Sequence, residues 1–243
     1  MNKIAIHDEK LDKPLPLWLI LIIPFYAGGI MALCIFPVSG DWNWFEGWAY
    51  TISFAINIGI SYAIINQKNP RVLRNRAKLK KEGLTDATRK SAGSDFIILP
   101  IMGIGFLGAI FVPGLEHRFG GMALPFALII AGLVLSNTGS VIMSFAMLQN
   151  PFASKLLDIN KDQVLVDTGL YAYVRHPMYS GAVLMIIPLP IALSSWWGLI
   201  PAFVAVLSIL IRIQPEEAML LAGMDGYKEY KSRIKYKLIP GVY

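Results

Sequence analysis

Long stretches without a single charged side chain constrain this sequence more than any other feature. Residues 14–40, 47–67, 96–115, 119–154 and 177–211 contain no Asp, Glu, Lys or Arg. A helix needs about 20 apolar residues to cross the hydrocarbon core of a bilayer. Charged residues make up 16% of the chain, against roughly 25% of a soluble domain. The chain is therefore predicted to be an all-α, polytopic membrane protein.

The last of these stretches is too long for one crossing. The first three fit one span each, and the fourth is expected to span the membrane at residues 125–148. Residues 177–211 in one helix would be about 52 Å long at 1.5 Å per residue. Pro188, Pro190 and a Ser-Ser-Trp-Trp-Gly turn at 194–198 interrupt this stretch, and proline kinks or breaks a helix. We predict a C-terminal helical hairpin here, and about six membrane-entering helices in total.

Basic residues fall almost entirely on one side of this topology. With a cytoplasmic N-terminus, the inner segments 1–13, 68–95, 155–176 and 212–243 hold 3, 9, 3 and 6 of the 22 Lys and Arg residues. Cytoplasmic loops carry such an excess. Both termini are therefore expected in the cytoplasm, with the protein in the inner membrane of a prokaryote or the endoplasmic reticulum of a eukaryote. The net charge of +6 then reflects contact with membrane lipids, and no nucleic-acid partner is expected.

Polar residues divide the chain into two regions. Residues 1–95 are expected to form an N-terminal two-span region with a basic cytoplasmic connector. Residues 96–243 are expected to form the catalytic region, with two polar segments, 149–180 and 212–243, at the ends of the hairpin. Because the hairpin returns the chain to the same membrane face, these segments meet. The sequence has no Gly-rich phosphate loop and no Cys and His spacing typical of a metal site, so no metal is expected.

Five ionisable residues converge at the mouth of the hairpin: Arg175, His176, Arg212, Glu216 and Glu217. Arg212 and Glu216 are four residues apart and so share one helical face. Charged groups at membrane depth are costly, and they usually mark a substrate path. Anchoring in the lipid headgroups would explain Arg175 or Glu217 taken singly. Five such residues beside one hairpin exceed what anchoring requires.

The polar segments carry an ordered set of motifs. GLYAYVRHPMYSG is followed by RIQPEE and then by YKEYKSRIKYKLIPGVY. This set resembles the isoprenylcysteine carboxyl methyltransferase family, to which phospholipid N-methyltransferases and membrane thiol S-methyltransferases are similar. The matching positions are Gly169, Tyr171, Arg175, His176, Pro177, Tyr179, Gly181, Arg212, Glu216, Glu217, Tyr227, Tyr230 and Pro240.

The resemblance implies a membrane enzyme that uses S-adenosyl-L-methionine on the cytoplasmic side. It implies a lipidic or prenylated acceptor, most often the carboxylate of a prenylcysteine, reached through the first spans. Arg175, Arg212 and Glu216 are the candidate catalytic groups, with Arg212 facing the acceptor. The residues implied to bind the cofactor are Gln163, Val164, Leu165, Val166, Tyr171, His176, Pro177, Met178, Tyr179 and Glu216.

The chemistry of these residue types agrees with that role. A sulfonium methyl donor is already activated, so the protein has to position an acceptor and exclude water. A guanidinium such as that of Arg212 can hold a carboxylate acceptor by paired hydrogen bonds. An acid such as Glu216 can receive the ammonium group of the cofactor.

Several alternatives stay open at this point. The acceptor could be a phospholipid amine or a hydrophobic thiol instead of a carboxylate. Membrane sterol reductases end in a similar hairpin and bind NADPH, but their motif reads HPNYFGE or close to it. Here Met178 follows the His-Pro pair and Ala182 follows Gly181. A transporter is the non-enzymatic alternative, although the sequence has neither the repeats nor the mid-span charges typical of transporters.

Overall fold

The computed structural model describes residues 13–77, 86–150 and 164–243, and within these ranges it contains helices and no β-strand. The elements in chain order are α1 (Leu17–Ser39), α2 (Phe45–Lys68), α3 (Pro70–Ala77), α4 (Asp86–Arg118), α5 (Phe126–Gln149), a 3₁₀ turn (Gly169–Ala172), α6 (Pro177–Ile186), α7 (Pro188–Ala192), α8 (Leu199–Gly223) and α9 (Tyr227–Arg233).

Five of these helices are long and apolar enough to cross a membrane. They are α1, α2, residues Gly93–Arg118 of α4, α5 and α8, and the shorter apolar segment Pro177–Ala192 adds a sixth membrane-entering unit. The prediction of a polytopic all-α membrane protein is thereby confirmed, and the chain is an integral membrane protein. Three of the predicted spans, 14–40, 47–67 and 125–148, agree with α1, α2 and α5 to within a few residues, whereas α8 continues 12 residues beyond the predicted end of the hairpin at residue 211.

The third span begins earlier than the sequence predicts. The apolar run starts at residue 96, but α4 already begins at Asp86. A charged residue in the sequence marks the point where a helix leaves the hydrocarbon core. The helix itself can continue beyond that point, because its backbone hydrogen bonds also form in the polar region. The suggested boundary between the regions 1–95 and 96–243 therefore falls inside α4. That division into two regions stays a prediction.

The hairpin is built from α6 and α7 on one side and α8 on the other. Only Ile187, which itself has helical backbone angles, separates the end of α6 from Pro188 at the start of α7, so no loop interrupts this side of the hairpin. The turn that follows is held by the Ser195 N–H, which donates to the Pro190 carbonyl (2.9 Å). The Glu116 carboxylate, at the end of α4, accepts hydrogen bonds from the Ser195 hydroxyl and the Trp197 N–H. This contact fixes the turn against the neighbouring helix.

Small residues allow the helices to approach closely. A Cβ added to Gly139 of α5 would lie 2.3 Å from the Met185 backbone nitrogen, and one added to Gly181 of α6 would lie 2.6 Å from the Gly139 carbonyl oxygen. Helices in lipid associate largely through such close backbone contact. The main apolar core lies where α1, α4, α6, α7 and α8 meet, around Ile35, Phe36 and Leu189. The site described next lies at the end of this core.

Candidate active site

The charged residues of the hairpin gather where α6 begins. Pro177 is the first residue of α6, a position where the missing proline N–H costs nothing because that group has no partner inside the helix. Just before it, the N–H groups of Arg175 and His176 donate to the carbonyls of Tyr236 and Lys237, at 3.0 and 2.9 Å. These two bonds fix the segment that follows α9 alongside the start of α6.

Arg175 is buried and holds Glu217 of α8. Its Nε donates to Glu217 Oε1 at 2.7 Å, and its Nη1 donates to the carbonyls of Ile234 and Lys235 at 2.6 and 2.8 Å. Lys231 Nζ lies 2.9 Å from Glu217 Oε2. Burying a carboxylate is costly unless it is paired and hydrogen-bonded. The two cations offset that cost and connect α8 to the segment after α9.

His176 lies between the two acids of α8. Its Nε2 is 3.3 Å from Glu217 Oε1, and its Nδ1 is 3.7 Å from Glu216 Oε1. The imidazole is nearly parallel to the Tyr179 ring, with 5.6 Å between the ring centroids and 17° between the planes. The acid pair, Glu216 and Glu217, is therefore contacted on one side by groups from the start of α6.

Tyr179 connects the acid pair to Arg212. Its hydroxyl donates to Glu216 Oε2 at 2.5 Å and accepts a hydrogen bond from Arg212 Nη1 at 2.7 Å. Arg212 and Glu216 thus lie on one face of α8, as their spacing predicts, with the Tyr179 hydroxyl bridging them. The Glu216 side chain keeps 22% of its surface exposed, against 5% for Glu217. Of the two acids, Glu216 is the more exposed.

Arg212 also forms a two-point ion pair with Asp95 of α4. Its Nε and Nη2 donate to the two carboxylate oxygens, each at 3.0 Å, and both side chains are buried. Sequence reasoning about the hairpin alone does not find Asp95. The signal that could have found it is its place as the last acid before the charge-free run 96–115, just as Arg212 follows the run 177–211. Both residues therefore lie at the same boundary of the apolar layer.

The residues predicted to bind a cofactor fall on two segments beside the acid pair. Gln163 lies outside the described residues, and Val164 is exposed, whereas Leu165, Val166, Met178 and Tyr179 are partly buried and Tyr171, His176 and Pro177 are buried. The first segment is fixed to α9 by contacts of Asp167 with Arg233 and of the Tyr171 carbonyl with the Tyr230 hydroxyl (2.8 Å). The structure thus brings the described candidates around one end of the bundle.

Two tyrosines of α9 complete the buried part of the site. Tyr227 is 2% exposed and Tyr230 is 3% exposed. Burial, followed by the neighbouring Glu217 carboxylate, raises the pKa of the Tyr227 hydroxyl above its usual range. Both hydroxyls therefore stay protonated at neutral pH, because burial also raises the pKa of Tyr230. They are available only as neutral hydrogen-bonding groups.

A groove opens on the side of the bundle between α2 and α5. Its walls are mostly apolar, with a few polar groups: it is lined by Asn57, Ile60, Ser61, Ile64, Ile65, Val141, Ser144, Phe145 and Leu148. At one end Leu148 packs against the cluster of Ile65 and Met147, against which Met178 also packs. Leu148 of the groove and Met178 of α6 thus border the same apolar cluster.

Fold and site together define a class of protein: a polytopic helical membrane protein with a buried, charge-paired cluster at one end. Among the described residues no group of His, Cys, Asp or Glu side chains is arranged to hold a metal ion. The chemistry available to the cluster is that of paired carboxylates, guanidinium groups and tyrosine hydroxyls.

Comparison with known proteins shows which families this chain resembles. Residues 127–224 match the phospholipid methyltransferase family model. A protein-S-isoprenylcysteine O-methyltransferase of Schizosaccharomyces pombe is 35% identical over 77 residues, which make up 31% of this chain and 33% of the relative. The match thus spans about a third of the length of the curated relative. Both sequence comparisons confirm the resemblance that the motifs indicate.

A solved structure is also similar in outline. The eukaryotic intramembrane Ras methyltransferase, an isoprenylcysteine carboxyl methyltransferase, aligns with 94% of this chain and 88% of its own, at 19% sequence identity and a TM-score of 0.44.

Proposed function

We propose that this protein is a membrane-embedded methyltransferase that uses S-adenosyl-L-methionine to methylate a lipid-like acceptor. The observation that carries this proposal is the convergence of the motif residues on one buried cluster, within and beside the region that matches the methyltransferase family model. The charges of this cluster are paired across α4, α6, α8 and α9. Simple anchoring in lipid headgroups would not require such pairing.

The residues of the cluster fit the proposed cofactor. S-adenosyl-L-methionine, when bound, supplies a methyl group on a positively charged sulfur. Glu216 is the more exposed acid of the pair, and it suits the ammonium group at the amino-acid end. The apolar residues Val164, Leu165 and Val166, with the aromatic ring of Tyr179, suit the adenosine part. His176 and Tyr179 hold Glu216 in position through their contacts with its carboxylate.

The other charged residues would bind the acceptor or position the site. Arg212 would hold an acceptor carboxylate by paired hydrogen bonds. Such an acceptor has no proton to lose, so the chain needs no general base. Arg175 is a candidate catalytic group from the sequence. Its described hydrogen bonds go to Glu217 and to two carbonyls after α9. We therefore assign it a positioning role.

The acceptor that suits this arrangement best is a prenylcysteine-type carboxylate. Its apolar chain would lie in the groove between α2 and α5, and its carboxylate would meet Arg212. A phospholipid amine is a second candidate, because the carboxylates of Asp95 and Glu216 flank the same site and would suit a cation. In this proposal the site faces the cytoplasm, and both termini lie on that side with the basic segments.

Binding and transfer assays on purified protein in detergent test this proposal. Calorimetric titration should detect binding of S-adenosyl-L-methionine and of its demethylated product, and it should detect no binding of NADPH. A panel of prenylcysteine, phospholipid amine and hydrophobic thiol acceptors, offered with radiolabelled methyl donor, then identifies the acceptor class. Binding of NADPH without binding of the methyl donor would reject the methyltransferase in favour of a reductase.

Replacing Glu216 by Gln tests the contact that holds the cofactor. The change keeps the size of the side chain and removes its charge, so a charge-assisted hydrogen bond worth roughly 1.5–3 kcal/mol is lost. The dissociation constant for S-adenosylhomocysteine should rise about ten- to hundredfold. Glu229→Gln, on the exposed face of α9, is the matched control and should bind as the wild type does. If the two variants have equal dissociation constants for S-adenosylhomocysteine, Glu216 does not hold the cofactor.

A further inference from the structure

A buried hydroxyl without a partner lies at the start of α9. Tyr227 is the first residue of α9 and is 2% exposed, and its Oη has no hydrogen-bond partner among the described residues. Buried polar groups are nearly always paired in folded proteins, because an unpaired one has lost its water without replacement. Tyr230, one turn further along, differs in this respect: its hydroxyl donates to the Tyr171 carbonyl at 2.8 Å.

The contacts of α9 place Tyr227 near the candidate cofactor site. Lys231 is four residues further along and so on the same face of α9, and its Nζ lies 2.9 Å from Glu217 Oε2. Gly226, immediately before it, adopts a positive φ of 79°, and a Cβ there would lie 3.6 Å from Leu165 Cδ2. The start of α9 thus lies close to the segment that contains Leu165, and the same helix contacts Glu217 through Lys231.

The ligand proposed for this site has a group that needs such a donor. The amino-acid end of S-adenosyl-L-methionine carries an ammonium and a carboxylate on the same carbon atom. If Glu216 receives the ammonium, the carboxylate lies close by, among side chains of its own sign. The nearby cations Arg175 and Lys231 are already engaged with Glu217. Among the described residues around the acid pair, the Tyr227 hydroxyl is the buried donor that has no partner.

We infer that Tyr227 is a cofactor-binding residue whose hydroxyl donates a hydrogen bond to the carboxylate of the methyl donor. This inference rests on the proposed function. It accounts for an unpaired hydroxyl in the free protein, because the partner arrives with the ligand.

Replacing Tyr227 by Phe removes the hydroxyl and keeps the ring. Two ligands separate its effects: S-adenosylhomocysteine, which carries both the ammonium and the carboxylate, and decarboxylated S-adenosylmethionine, which keeps the ammonium and the sulfonium but lacks the carboxylate. A hydrogen bond to a charged group is lost for the first ligand only, so its dissociation constant should rise about ten- to hundredfold. The dissociation constant of the decarboxylated ligand should stay within about twofold of the wild-type value. Both are measured by calorimetry on the same detergent-solubilised sample.

Two further variants act as controls. Tyr230→Phe removes a hydroxyl that is paired in the protein, and it should lower the melting temperature without changing the ratio of the two affinities. Glu216→Gln should weaken both ligands, because both carry the ammonium. The free Tyr227→Phe protein should melt at or above the wild-type temperature, since the change removes an unpaired polar group. If this variant melts below the wild-type temperature, the ratio of its two affinities still tests the hydrogen bond. Both affinities are measured on the same folded protein, so a loss of stability affects them equally.

The possible failures are distinguishable. If the wild type binds neither ligand, the proposed function itself fails. If the wild type binds both and Tyr227→Phe binds S-adenosylhomocysteine as tightly, the hydroxyl does not contact the cofactor. An equal loss for both ligands would also overturn the inference, because the hydroxyl would then act on a part of the cofactor other than the carboxylate.

Discussion

The guanidinium of Arg212 already holds one carboxylate in a two-point contact, that of Asp95. This is the same geometry in which it is proposed to hold the carboxylate of an acceptor. An incoming acceptor must therefore share the guanidinium with Asp95 or displace it. Removing one partner of a buried ion pair is strongly destabilising, by about 3–5 kcal/mol. Arg212 thus contributes to stability as well as to the proposed binding of the acceptor, and an experiment has to separate the two.

Arg212→Lys keeps the positive charge and removes the planar fork. We expect the affinity for S-adenosylhomocysteine to stay within about twofold, and the turnover of a carboxylate acceptor to fall by tenfold or more, because transition-state contacts are lost. On the same preparation, calorimetry measures the affinity, a methyl-transfer assay measures the turnover and a melting curve measures the stability.

Asp95→Asn is the matched control for that experiment, because it weakens the same ion pair from the other side. It should lower the melting temperature to a similar degree while leaving most of the turnover. If both variants lose turnover equally, Arg212 acts through the ion pair and has no direct contact with the acceptor.

At the scale of secondary-structure elements, the contact between α5 and α6 holds the start of α6 in place. Gly139 and Gly181 let the two backbones approach so closely that a methyl group on either would collide with backbone atoms. Because backbone atoms cannot move aside as a side chain does, the helices would have to separate. The first turn of α6 carries Pro177 and Tyr179, so a separation would move the site.

Gly139→Ala should therefore destabilise the protein. Overpacking of this kind costs about 1–3 kcal/mol of the free energy of unfolding, and cofactor affinity should fall with it. Gly103→Ala, on α4 with nothing within 4 Å of the added methyl, is the control and should be neutral or slightly stabilising, since alanine favours helix. Thermal unfolding in detergent compares the two. A stable Gly139→Ala protein would mean that α5 and α6 are farther apart than described.

At the scale of the whole molecule, the distribution of basic residues predicts the orientation in the membrane, with both termini on the cytoplasmic side. We expect reporter fusions after residue 243 to be cytoplasmic and fusions at residue 118 to be external. The end of the bundle that is predicted to be external contains the Asp41–His117 contact (2.9 Å) and the turn of the hairpin at Ser195. An external reporter after residue 243 would contradict the predicted topology.

Much of this fold is predictable from the sequence because each membrane span is a local property. A charge-free run of suitable length locates a span such as α1 or α5 without knowledge of its neighbours. The pairing of Asp95 with Arg212 joins residues 117 positions apart, and no local pattern encodes it. The same holds for the unpaired Tyr227 hydroxyl, since only packing decides which polar atoms find partners. The motif residues could be named from the sequence, whereas the contacts that hold them required the structure.

The pairing of Arg175 with the carbonyls of Ile234 and Lys235 has a consequence for biosynthesis. Chains fold from the N-terminus as they are made, at about 5–20 residues per second, and residues 234–237 emerge after every described membrane helix. Until then Arg175 lacks two acceptors, and the start of α6 lacks the backbone partners of Tyr236 and Lys237. The helices can therefore insert and pack while the site is still open. The site is therefore completed only after the last described membrane helix, α8, has been made.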